Sequence, residues 1–66
     1  MTEIRITHPS PFPDWHATQD ASLGVWLCDR ASNRQVKVEP PVEWGRHWAW
    51  NVTEDGLGIY FRRTSG

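Results

Sequence analysis

The chain has one cysteine, one methionine, one lysine and no long hydrophobic run. Each scarcity excludes something. Cys28 stands alone, so no disulfide can close within the chain. Small secreted domains commonly depend on such staples, and the first residues, Met1-Thr2-Glu3-Ile4-Arg5, carry no apolar signal core. Both features lead us to expect a cytoplasmic, reducing setting, in which the glycosylation pattern Asn51-Val52-Thr53 has no meaning. No apolar stretch approaches the ~18 residues of a membrane span, so no membrane partner is expected.

An excess of charge is also missing. Lys and Arg number 7 against 8 for Asp and Glu, a net charge of −1. A nucleic-acid mimic needs a large acidic excess, and a general nucleic-acid binder a basic one. Length sets a further limit. The 66 residues form one domain, 1–66, that buries only ~60% of the surface its unfolded chain exposes. Ordering them costs on the order of 100 kcal/mol. One small core must offset that, which leaves no room for two domains or a large enclosed active site.

What the chain does have is tryptophan and arginine. Five residues are Trp, and the basic residues are all Arg except Lys37. Trp and Arg are enriched at protein-interface hot spots, and Lys is depleted there. The competing reading of each Trp is core filling, since a large ring supplies much of the burial a short chain needs.

Apolar residues alternate, the signature of strands. Residues 3–8 put Ile4 and Ile6 on one face. Residues 23–29 put Leu23, Val25 and Leu27 on one face and Trp26 and Cys28 on the other, as a central strand would. In 35–39, Val36 and Val38 alternate with Gln35, Lys37 and Glu39. Residues 47–52 align Trp48, Trp50 and Val52, and 57–63 align Leu57, Ile59 and Phe61 against Tyr60 and Arg62.

Turn chemistry connects these segments. Ala31-Ser32-Asn33-Arg34 has hairpin-loop length. Thr53-Glu54-Asp55-Gly56 reads as a type I turn closed by a left-handed glycine. Segment 23–29 should therefore pair with 35–39, and 47–52 with 57–63. Pro40-Pro41 ends the strand before it. Segment 9–22 is different: Pro9, Pro11 and Pro13 favour an extended path, and 14–21 predicts a short helix capped by Asp14. Phe12 and Trp15 would close one end of the sheet. The expectation is an all-β, five-stranded, mostly antiparallel domain, barrel-like or sandwich-like, with a core of Ile4, Ile6, Val25, Leu27, Val36, Val38, Trp48, Trp50, Ile59 and Phe61.

Four candidate sites follow. His8, His16, Cys28 and His47 are metal-ligand types, but no pair has zinc spacing, so no metal or other cofactor is expected. Cys28 with a histidine could form a nucleophilic pair, yet it lies mid-strand in a chain too short to build an oxyanion hole beside it. No catalytic residue is expected, and no enzyme. The third candidate groups the outward residues by strand phase: Arg5, Trp26, Lys37, Tyr60 and Arg62, with Cys28 and His47 nearby. Aromatic rings among cations on a sheet suit a protein hot spot or a single-stranded nucleic acid. The fourth is the loop 40–46, where Trp44 beside Gly45 and Arg46 is either a plug or a presented anchor.

The reading is a non-catalytic protein-binding module, a compact inhibitor or adaptor of the kind that phages and mobile elements encode. It would dock on a larger protein through Trp26, Trp44, Arg46, Tyr60, Arg62, Arg5 and Lys37. A single-stranded nucleic-acid-binding domain and a structural subunit of a homo-oligomer are the alternatives. Two apolar faces on segment 23–29 hint at self-association, possible as a homodimer.

Overall fold

The computed structural model describes residues 4–19 and 23–64. The fold is all-β, and the described residues form six strands in two three-stranded antiparallel sheets. The strands are β1 (Arg5–Pro9), β2 (Trp15–Gln19), β3 (Val25–Asp29), β4 (Gln35–Val38), β5 (Trp48–Val52) and β6 (Gly58–Arg63). One sheet runs β1-β6-β5 and the other β2-β3-β4. There is no closed barrel, and no α-helix among the described residues.

The expected pairings of 23–29 with 35–39 and of 47–52 with 57–63 are present as β3–β4 and β5–β6. The turn between β5 and β6 has the expected form. Gly56 N–H donates to the Thr53 carbonyl at 2.9 Å, and Gly56 sits at φ 73°, where a Cβ is disfavoured.

Two expectations are corrected. Among the described residues there are six strands, not five, and residues 14–19 form no helix: Trp15–Gln19 is β2, and residues 20–21 of the expected helix lie outside the described residues. The reason is pairing. Thr18 and Trp15 suit a strand, and β3 supplies a complete ladder from Trp15↔Asp29 to Gln19↔Val25. Asp14 serves that ladder rather than a helix cap. Its carbonyl accepts from Arg30 N–H at 2.9 Å, and its carboxylate meets Arg30 Nε at 3.4 Å.

The core lies between the central strands. Val25 and Leu27 of β3 and Ile59 and Phe61 of β6 are fully buried. Trp44, in a 3-10 turn over Val42–Trp44, completes the cluster. Ile6, Trp15, Ala17, Val38, Trp48 and Trp50 pack around it. Trp48 meets Phe61 edge to face, with ring centroids 5.4 Å apart. Ile4 and Val36 were expected in the core and are exposed instead: Ile4 precedes the first residue of β1, and Val36 lies on the edge strand β4.

Two indoles link the sheets. Trp50 Nε1 of β5 donates to Gln19 Oε1 of β2 at 2.9 Å. Trp15 Nε1 of β2 donates to the Gly56 carbonyl in the β5–β6 turn at 3.3 Å. Phe12 is buried in the β1–β2 connection, with the Arg34 guanidinium 5.6 Å above its ring. Phe12 lies in the connection, while Trp15 is a strand residue of β2 packed against the core. Trp44 occupies the connection from β4 to β5.

Candidate partner-binding faces

Strand phase decides which residues point away from the core. In an antiparallel pair, directly opposite residues share a face. Since Val25 and Leu27 point inward, Trp26 and Cys28 point outward from β3, joined by His16 and Thr18 of β2 and Gln35 and Lys37 of β4. Since Ile59 and Phe61 point inward, Tyr60 and Arg62 point outward from β6, joined by Arg5 and Thr7 of β1 and Ala49 and Asn51 of β5.

The outward residues grouped by phase in the sequence therefore do not form one surface. Trp26 and Lys37 lie on one sheet, and Arg5, Tyr60 and Arg62 on the other, with the core between them. Phase alone assigns a residue to the outside but not to a sheet.

On the outer face of β2-β3-β4, Trp26 stands on the central strand and is half-buried. Lys37 is directly opposite on β4, with its Nζ 5.8 Å from the centre of the indole ring. That is cation–π range. Beside it, the Cys28 thiol donates to Gln35 Oε1 at 3.6 Å. Cys28 is a free, half-buried thiol opposite His16. His8 faces the other way, against Phe61, with ring centroids 5.4 Å apart. Among the described residues no three His, Cys, Asp or Glu side chains converge on a point that could hold a metal ion.

On the outer face of β1-β6-β5, the Arg5 guanidinium lies 4.4 Å from the centre of the Tyr60 ring. Arg5 and Arg62 are direct cross-strand neighbours. An open depression of about 370 Å³ runs from Arg5 and Tyr60 toward the β5–β6 turn, lined also by Thr7, Thr53, Glu54 and Asp55. Asp55 holds the turn: its Oδ1 accepts from Thr53 Oγ1 at 2.6 Å and from Leu57 N–H at 3.0 Å. Those two donors, Thr53 first, lower its carboxyl below the usual carboxylate range.

The loop 40–46 resolves the question left open for Trp44. Only 7% of Trp44 is exposed, so its ring is core and not a presented anchor. The 3-10 turn carries it inward, with Trp44 N–H donating to the Pro41 carbonyl at 3.0 Å. Gly45, at φ 60° and ψ −117°, lets the chain reverse there. Arg46 remains exposed beside it. Sequence reasoning missed the apolar residue this loop does present: Val42 is 90% exposed and shares a small depression with Leu23, Pro40 and Pro41.

Comparison of the chain with protein families, with curated proteins and with solved structures finds no match.

Proposed function

We propose that this chain is a non-catalytic protein-binding module, a compact inhibitor or adaptor carried on a sandwich-like β scaffold. The observation that supports this best is the position of Trp26. It stands in the middle of an outer sheet face, half-buried, with Lys37 beside its ring and Thr18, His16 and Gln35 on the same face. Large rings at the centre of a patch and polar residues at its rim are the anatomy of an interface hot spot. The partner would be a larger protein in a reducing, cytoplasmic setting, held by steric fit around Trp26 and Lys37.

Single-stranded nucleic acid is the second reading, favoured by the Arg5–Tyr60 stack beside Arg62. Glu54 and Asp55 on that same face, and the net charge of −1, weigh against a phosphate chain there.

The test is capture from source-cell lysate with wild type and with Trp26→Ala, each with and without nuclease. One protein recovered with wild type, lost with a Trp26→Ala variant of unchanged melting temperature and indifferent to nuclease is the expected result. Equal recovery by the variant overturns the role of Trp26. Recovery that collapses after nuclease favours the nucleic-acid reading.

A further inference from the structure

Among the described residues the two sheets have four edge strands, and three of them carry or adjoin a feature that blocks further pairing. On β1, Ser10 N–H donates to the Leu57 carbonyl, so the backbone of Pro9 faces away from β6, where proline has no N–H to offer. β4 carries Lys37 and runs into Pro40-Pro41. β2 follows Pro11 and Pro13. The fourth edge, β5, is unguarded. Its residues, Trp48-Ala49-Trp50-Asn51-Val52, include no proline and no charge, and they pair with β6 without a bulge. The bonds that bracket the strand show which way its backbone faces. Thr64 N–H donates to the His47 carbonyl, and Thr53 N–H to the Gly58 carbonyl. Hydrogen-bonded pairs alternate along an antiparallel ladder, so Ala49 and Asn51 bond to β6. Trp48, Trp50 and Val52 turn their N–H and C=O groups to the open edge, where no strand of the described residues meets them.

We infer that this edge pairs, antiparallel, with the same edge of a second copy about a two-fold axis at Trp50. Trp50 then lies opposite Trp50 of the second copy, and Trp48 of each lies opposite Val52 of the other. These are the residues with open backbone groups, so each pair exchanges both of its hydrogen bonds. A two-fold contact of this kind uses the same edge on both copies and closes at two. Charge outside the strand sets the register and the occupant. Arg46 stands four residues before Trp50, and Glu54 four residues after it. Pairing centred on Trp50 therefore brings Arg46 of each copy to Glu54 of the other, at both ends of the ladder. Both side chains are exposed, and among the described residues neither is in an ion pair. Sliding the ladder by two residues in either direction breaks both charge pairs and one of the backbone pairs. The contact also covers Val52, which is 50% exposed, with the Trp48 ring of the other copy.

The contact is narrow. A strand of five residues is ~17 Å long, and one such edge falls well under the ~800 Å² per partner of a stable complex. The dimer is therefore weak. Its charge pairs are exposed, so salt loosens it: the screening length shrinks from ~10 Å at 0.1 M to ~3 Å at 1 M. The two-faced segment 23–29 had pointed to self-association, but β3 lies mid-sheet with a paired strand on each side, and the available edge is β5. Trp26 is on the outer face of the other sheet and stays open in the dimer, so this inference does not rest on the proposed function.

Sedimentation equilibrium and amide exchange on the full chain, up to about 1 mM protein, the range of a weak complex, test it. At low salt, about 10 mM, the mass is expected to rise toward twice that of the monomer. Over the same range, exchange at the Trp48, Trp50 and Val52 amides should slow, while Ala49 and Asn51, already bonded to β6, should change far less. Val52→Lys puts a charge on the edge. Arg46→Glu and Glu54→Arg each set like charges together at both ends. Each of the three should weaken association by roughly tenfold. Mixed one to one, R46E and E54R present opposite charges at both ends, so the mixture should associate although neither variant does alone. Melting curves check that each variant folds; Arg46 and Glu54 are exposed and lie outside the strands, so R46E and E54R carry the test if V52K does not fold. A wild type that stays monomeric throughout overturns the inference. So does a dimer in which the three edge amides exchange as fast as in the monomer, association that survives all three variants, or a mixture that fails to restore it.

Discussion

The indole N–H of Trp50 donates to the side-chain oxygen of Gln19 at 2.9 Å and joins the edge of one sheet to the edge of the other. The contact spans 31 residues of sequence. It explains why a residue as polar as Gln19 ends a strand whose inward positions are Trp15 and Ala17: a tryptophan at an edge position has its apolar body on the core and its polar atom near the rim.

A double-mutant cycle over Gln19→Ala and Trp50→Phe measures that bond. Because it is exposed, its contribution should be at the low end for hydrogen bonds, with a coupling energy of about 0.5–1 kcal/mol. Denaturant midpoints of the two single variants and the double variant provide the measurement. Additive losses, with no coupling, would mean that the indole and the amide do not meet in solution.

Trp44 and Trp26 should respond to truncation in opposite ways. Trp44→Ala removes a ring from the buried cluster and should cost about 3–5 kcal/mol. That is a large share of a small domain's total of roughly 5–15 kcal/mol, so much of the population should unfold at room temperature. Trp26→Ala removes a half-buried ring from an outer face and should cost about 1 kcal/mol. Circular dichroism melts of the two variants decide the assignment. Equal destabilisation would mean that Trp26 is core as well.

The inward residues of the sheets were legible because the period is local. Val25, Leu27, Ile59 and Phe61 are read from alternation within their own strands, and the Gly56 turn from four adjacent residues. What was not legible is set by contacts between distant segments. The strand β2 looks helical in isolation because Asp14 resembles a cap, and only its pairing with β3 makes it a strand. A cue was present in Trp15 and Ala17 alternating with His16 and Thr18. The pairing of β1 with β6 joins residues at opposite ends of the chain. It puts Arg5 beside Arg62 and Tyr60, on the sheet that does not contain Trp26, and no pattern within either strand carries that information. Trp44 was ambiguous because a loop has no period to separate inside from outside.

Gly58 should tolerate no side chain. A Cβ there would collide with the His8 carbonyl oxygen and lie 2.6 Å from Pro9 Cα, both backbone atoms of the paired strand. Gly58→Ala should therefore push β1 away from β6 and cost about 1–3 kcal/mol, as overpacking does. Amide exchange at Ser10, which donates to the Leu57 carbonyl at 2.8 Å, should accelerate with it. Gly56→Ala is the comparison. Nothing lies within 4 Å of a Cβ there, so its cost is limited to the left-handed backbone, about 1–2 kcal/mol, and Ser10 exchange should change little. Fast exchange at Ser10 in both variants would count against a specific β1–β6 clash.

His8→Leu should stabilise the fold. His8 Nε2 is sealed from solvent and has no hydrogen-bond partner among the described residues. An unsatisfied buried polar atom costs roughly 1–3 kcal/mol. Leucine removes that cost and loses only the edge contact with Phe61, worth about 0.5–1.5 kcal/mol. The expected net gain is about 1 kcal/mol, or a rise of about 4–8 °C in melting temperature for a chain of this size. A lower melting temperature would show that the imidazole has a partner in solution.

Asp55 should make the β5–β6 turn acid-sensitive. The hydroxyl of Thr53 and the amide of Leu57 both donate to its carboxylate, so the folded state favours the charged form and lowers the pKa. A carboxyl with a lowered folded-state pKa stabilises the fold fully above its unfolded value, near about pH 4. The contribution then declines as the pH falls through the lower, folded value. Asp55→Asn removes the titration while keeping a side-chain oxygen that can accept. The gap in melting temperature between wild type and Asp55→Asn should be constant at neutral pH and close progressively below about pH 4. A carbon-detected titration of the Asp55 carboxyl should give a midpoint below the ordinary aspartate range. A gap that does not change on acidification would mean that the two hydrogen bonds are not made preferentially to the charged form.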